Sequence, residues 1–173
     1  MCTPRATLPR RPPPSHYAAA MSTTPAVPGP VQRVGAALTG LGAAGVPQLG
    51  VPDPLPDADL IATTDILEAD GHPLLVVCVG RPDPVDVAGV LGAMTVRAVP
   101  DPVAALWTGQ DPGAIAPVGH SGPVAMGVVI DINLAQWRRL WVPAGAPGWV
   151  FPTTYSELLR ITAGHAAEVG KLP

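Results

Sequence analysis

The chain has 173 residues, of which 47% are apolar and 13% charged, with a mean hydropathy of +0.31. That excludes a largely disordered chain, which is charge-rich and apolar-poor, and the length suits one domain with a core of its own. Net charge is −3 and the single lysine is Lys171, so generic electrostatic binding to DNA or RNA is disfavoured, and a lysine-centred mechanism is excluded unless the C-terminus folds back.

Residues 1–20 hold arginines but no apolar stretch, which is not the form of a secretory signal. Met21 followed by STTPAVPG has the form of a start. Beginning there would remove Arg5, Arg10 and Arg11 and leave a net charge of −6 (7 basic and 13 acidic residues). Residues 1–30 are expected to form a disordered tail, ahead of one folded domain over 31–173. Val31, Val34, Leu38 and Leu41 recur at helical spacing and predict a helix over 31–43. Residues 46–60 are rich in proline and acid and predict a loop holding at most a short strand. Strands over 62–68 and 74–80 flank Asp70-Gly71, a hairpin turn signal. Asp83-Pro84 and Asp101-Pro102 look like paired helix starts, because aspartate accepts from first-turn N–H groups and proline suits the first helical position. Helices follow over 84–91 and 102–107, with a strand over 95–98 between them.

A long loop over 109–123 precedes a buried strand over 124–130. Asp131 opens a short helix through Trp137, strands lie over 139–143 and 148–151, and Thr154-x-x-Glu157 has the capping-box form at the start of a helix through Ile161. An edge strand is expected over 165–169. Several strands succeed each other without a helix, which favours an α+β fold with a mixed sheet surrounded by short helices. No Gly-rich phosphate loop joins a strand to a helix, so nucleotide-binding α/β folds are not indicated. No apolar run reaches a membrane span of about 20 residues. Cys2 and Cys78 give neither zinc spacing nor a disulfide framework. The expected compartment is the cytoplasm.

The segment TGQDPGAIAPVGH, residues 108–120, concentrates glycine and proline. Glycine lets backbone approach a ligand closely, proline stiffens the loop, and free N–H groups can hold a carbonyl or carboxyl oxygen. A plain surface crossover has the same composition. The pattern resembles the T-G-x-x-x-G-G-x-x-P-x-G-h loop of the YbaK/EbsC family, relatives of the prolyl-tRNA synthetase editing domain. Thr108, Gly109, Gly113, Pro117, Gly119 and His120 match it. VVIDINL and the stretch RRLWVPAGAPGWVFPTTYSELLRITAGHAAEVG are similar to the family's later segments. The likeness spans about residues 62–170.

The resemblance implies a small mixed α/β domain with a pocket for the aminoacylated tRNA 3′ end, hydrolysing the ester of mischarged tRNA in trans. No metal and no cofactor are implied. The implied partners are tRNA and an aminoacyl-tRNA synthetase, with no membrane and no DNA. Carried over residue by residue, it points to Thr63, Thr64 and Asp131 as catalytic positions. Thr108, Gly109, Gly113, Ala114, Ile115, Pro117, Gly119, Ala144 and Gly145 are implied to bind substrate. Four departures stand out. Thr63 replaces the family lysine, and threonine cannot supply positive charge. Ala114 replaces the second loop glycine, which is costly if that position needs positive φ. Pro52–Ile61 is too short for the helix that usually precedes the lysine strand. Asp65 stands at a usually apolar position. The alternative is therefore a degenerate, non-catalytic relative that binds a small ligand, a tRNA 3′ end or a protein partner.

The remaining residues divide between bland and functional roles. Asp131 equally fits a helix N-cap. Cys78 fits a buried hydrophobe, and His120 a solvated loop side chain. Trp107, Trp137, Trp141 and Trp149 fit packing better than base stacking. Arg138-Arg139 could meet a phosphate or simply open a strand. Ser121 lacks the context of a nucleophile elbow.

Overall fold

The computed structural model describes residues 26–170. The segment 1–25, with Met21, and the C-terminal Lys171 lie outside the described residues. Helix α1, Gly29–Gly40, takes in Gly29 and Pro30, ahead of the 31–43 pattern, and buries Val31, Val34 and Leu38. Strands β1 (Gln48–Leu49) and β2 (Asp59–Ile61) follow, with no helix between them. Next come β3 (Thr63–Ala69) and β4 (His72–Cys78), paired antiparallel from Thr63↔Cys78 to Ala69↔His72. Their turn is Asp70-Gly71, both at positive φ (48° and 82°), the backbone that a two-residue hairpin requires.

Helix α2, Pro84–Leu91, is capped as the sequence predicts, Val85 N–H donating to Asp83 Oδ1 at 2.9 Å. After β5 (Val96–Ala98), helix α3 spans Asp101–Thr108. Here the second start signal works differently: Asp101 lies inside the first turn, and the N-cap is Pro100, without a side-chain cap. The rest are β6 (Gly127–Asp131), a 3₁₀ turn (Ile132–Gln136), β7 (Arg139–Pro143), β8 (Trp149–Thr153), α4 (Tyr155–Thr162) and β9 (His165–Ala167). The α4 cap forms by half: Thr154 Oγ1 accepts from Glu157 N–H at 3.2 Å, while the Glu157 carboxylate turns away to Ala44 N–H and Thr153 Oγ1.

The α+β class holds, but the strands form two mixed sheets instead of one. The first has the order β1-β8-β7-β2, with β2 and β7 parallel; the second has the order β5-β3-β4-β6-β9, with parallel pairs β4–β6 and β6–β9. Side chains alternate across a strand, so the second sheet serves two cores. Ile66, Leu75, Val77 and Ile130 face Leu140, Val142 and Phe151 of the first sheet, together with Val34, Leu38 and Leu158. Leu67, Val76, Cys78 and Val129 pack under Val87 of α2. Among the described residues, no helix is long and apolar enough to cross a membrane.

Candidate functional site

The loop after α3 is held by its own polar atoms. Thr108, fully buried, donates its hydroxyl to Ala104 O at 2.8 Å and accepts from Gln110 N–H at 3.2 Å. The Gln110 carboxamide bridges the loop, donating to Val118 O at 3.1 Å and accepting from Ala116 N–H at 2.7 Å. His120 Nε2 lies 2.7 Å from Ala116 O, and a carbonyl only accepts, so this nitrogen carries the proton. Burial holds the His120 pKa below its ordinary value, leaving the ring neutral at pH 7. Gly109, Gly113 and Gly119 all adopt positive φ. Ala114 does not, so alanine at this position carries no left-handed strain.

The turn over 144–148 is zipped to this loop. Asp111 N–H donates to Gly145 O at 3.2 Å, and Gly145 N–H donates to Ala114 O at 2.8 Å. Between the two segments lies a cavity of about 370 Å³, walled by Pro112, Gly113 and Ala114 on one side and by Ala146, Gly148 and Trp149 on the other. No charged side chain lines it. Among the described residues, the exposed Gly113 N–H donates to no protein acceptor, which leaves it available to an oxygen in the cavity. Pro117, Ala144 and Ile115 are buried behind this lining.

Helix α1 braces the loop from outside. A Cβ at Gly119 would meet Val34 Cα at 2.8 Å, and one at Gly145 would meet Pro30 Cβ at 3.2 Å. Arg33 donates to Gly109 O at 2.6 Å. This places an exposed guanidinium on the loop, with further N–H groups to spare. Sequence reasoning missed Arg33; its signal was only a polar position on the loop-facing side of an amphipathic helix.

The other predicted positions sit apart from this cavity. Thr63, Cys78 and Asp131 occupy the end of the second sheet on its α2 face. The Thr63 hydroxyl lies against the carbonyls of Cys78 and Gly80. Asp131 is fully buried: Oδ1 accepts from Asn133 N–H at 3.1 Å and from Asn133 Nδ2 at 3.2 Å, and among the described residues Oδ2 has no hydrogen-bond partner. It therefore caps the 3₁₀ turn while keeping one oxygen in reserve. Thr64 alternates to the opposite face, the one shared with Ile115 and Val118 of the loop, and its buried hydroxyl is also unpartnered among the described residues. Burial pushes the Cys78 thiol up to about 11, so it stays protonated. Trp141 is buried, with its Nε1–H on Asp59 Oδ2 at 3.1 Å, and Trp107, Trp137 and Trp149 pack on the main core. Arg138 faces the buried Asp59 at 3.8 Å. A larger cavity of about 820 Å³ lies against α2, but Asp86 and Glu168 line it and would repel a nucleic-acid phosphate.

No protein-family model matches the chain, and no curated protein does. Solved structures do. One, from work on grafting epitopes onto scaffold proteins, has a TM-score of 0.73 at 20% identity and covers 85% of this chain and 100% of its own. A second is the crystal structure of a candidate trans-editing enzyme for prolyl-tRNA synthetase, with a TM-score of 0.73 at 19% identity, covering 84% of this chain and 99% of its own. The chain has the YbaK-like fold. A hypothetical protein shares it, with a TM-score of 0.70 at 18% identity, covering 80% of this chain and 99% of its own. Within the YbaK-like fold, the 108–120 loop and the 144–148 turn form the walls of the uncharged cavity.

Proposed function

We propose that this protein hydrolyses the ester joining an amino acid to the 3′ end of tRNA, acting in trans on RNA charged by a synthetase. The observation that carries this reading is the rigid loop itself, with its Gly113 N–H open beside an uncharged cavity. In ester hydrolysis a water oxygen attacks the carbonyl carbon and the C=O electron pair moves onto oxygen. The oxyanion then collapses back to C=O, the bond between the acyl carbon and the ribose oxygen breaks, and the proton lost by the water ends on that ribose oxygen. A backbone donor preset for the oxyanion is the main protein contribution such a step needs. Arg33 offers the charge for a terminal phosphate that Thr63 cannot. Domain organisation follows the same reading: residues 31–173 carry the activity and the segment before them does not.

The alternative, a non-catalytic member that binds a tRNA end, a small ligand or a partner, is favoured by one specific feature: the Thr63 hydroxyl is engaged by backbone carbonyls. Single-turnover hydrolysis of alanyl-, cysteinyl- and prolyl-tRNA separates the two. The unmodified protein is expected to cleave one of them slowly, Gly113→Val to abolish cleavage, and Thr63→Lys to raise the rate. Absence of cleavage in both the unmodified and Thr63→Lys proteins leaves the binding reading.

A further inference from the structure

We propose that Gln110 is a positioning residue, whose side chain shapes the loop so that the Gly113 N–H is available to the substrate carbonyl oxygen; this rests on the deacylase reading above. Within the loop the backbone pairs Ala114 N–H with Asp111 O and Ser121 N–H with Thr108 O, while the Ala116 N–H finds no backbone acceptor among the described residues. Gln110 supplies what the backbone lacks. It is 3% exposed, and its carboxamide fills both roles at once, accepting from Ala116 N–H (2.7 Å) and donating to Val118 C=O (3.1 Å). Its own backbone N–H is taken by Thr108 Oγ1, so it is fixed at both ends.

The effect reaches the second wall of the cavity. The nearest atoms to a Cβ on Gly145, after Pro30, are Gln110 Cδ and Cγ, at 3.3 and 3.5 Å. Gln110 thus stands between the loop and the turn that Asp111 and Ala114 zip together. Its amide consumes the Ala116 N–H inside the loop, while the Gly113 N–H stays unconsumed among the described residues. Only a carboxamide fits both partners. Glutamate would keep the acceptor and set a carboxylate against the Val118 carbonyl; methionine would remove both bonds at similar size. A fully satisfied buried polar network loses far more than one bond's worth of order when its central member is removed.

The test joins amide hydrogen exchange to steady-state kinetics, on whichever of alanyl-, cysteinyl- and prolyl-tRNA the unmodified protein cleaves, for the full chain, Gln110→Met and Gln110→Glu. In the unmodified protein the Ala116 amide is expected to be protected and the Gly113 amide to exchange freely; an Ala116 amide as fast as Gly113 overturns the proposal without any variant. Gln110→Met is expected to lose Ala116 protection while the Val76 and Val77 amides keep theirs. Its kcat is expected to fall about tenfold or more with KM within about twofold, because a misplaced donor costs the transition state more than binding. Gln110→Glu is expected to keep Ala116 protection and more of kcat than Gln110→Met. An unchanged kcat in Gln110→Met, or a rise in KM alone, overturns positioning. If the unmodified protein cleaves no charged tRNA, it is the deacylase reading that falls, and the exchange data still decide whether Gln110 holds the loop.

Discussion

Replacing Gly119 by alanine tests how α1 and the loop are joined. Gly119 has φ +75°, and a Cβ there would lie 2.8 Å from Val34 Cα, 2.9 Å from Val34 N and 3.1 Å from Arg33 C. The left-handed backbone alone costs an L-residue about 1–2 kcal/mol. The contacted atoms are helix backbone, which cannot rotate away as a side chain does, so α1 must shift. The helix buries Val31, Val34 and Leu38 almost completely, and partial exposure of one such side chain costs about 1–2 kcal/mol more. The total is about 3 kcal/mol, or a fall in Tm of about 6–12 °C for a domain of this size. Gly113→Ala is the control: φ is +78°, but nothing lies within 4 Å of the added atom. It shares the φ penalty and the smaller unfolded-state entropy of alanine, so its Tm should fall by only about 2–6 °C. Thermal melts by circular dichroism and calorimetry decide the matter. Equal losses for the two variants would refute the docking of α1 on Gly119.

Burial raises the Asp65 pKa, and Arg81 opposes that only in part. The charged form is therefore the costly one, and the cost accumulates as pH rises through the folded value; Asp65→Asn is expected to raise Tm at pH 7, with the gain vanishing once pH falls below the ordinary carboxyl value of 3.8. Cys78 is fully buried, with a thiol near 11, so in a Cys2→Ser background the native protein is expected to resist a thiol-specific dye at pH 8 and to label fully in denaturant; rapid native labelling would contradict the packing. Arg33→Ala is expected to raise KM for charged tRNA about three- to tenfold with a weaker salt dependence of binding, and Arg33→Lys to restore part of it; an unchanged salt slope would remove Arg33 from phosphate binding.

Much of the fold is legible along the chain because its signals are local. The 3.6-residue spacing of Val31, Val34 and Leu38, the Asp70-Gly71 turn, the Asp83 cap and the Thr154 cap each depend on neighbours within a few residues, and the structure forms all of them. The loop over 108–120 was visible for the same reason, since glycine and proline announce unusual backbone wherever they cluster. What the chain order left open is which strand lies beside which. A run such as LLVVCVG has the same apolar content in one sheet or two, and the division into two sheets depends on parallel pairings such as Leu60↔Leu140 across 80 residues. Arg33 lies 76 residues from Gly109 and Gln110 lies 35 from the turn at Gly145, so neither contact had a local signature. Composition and short-range pattern determined the elements and drew attention to the loop. Only the packing of α1, the loop and the 144–148 turn against one another decided which backbone N–H groups of the loop are spent inside the protein and which are left without a protein acceptor, because a buried donor is satisfied by whatever acceptor the tertiary fold brings to it.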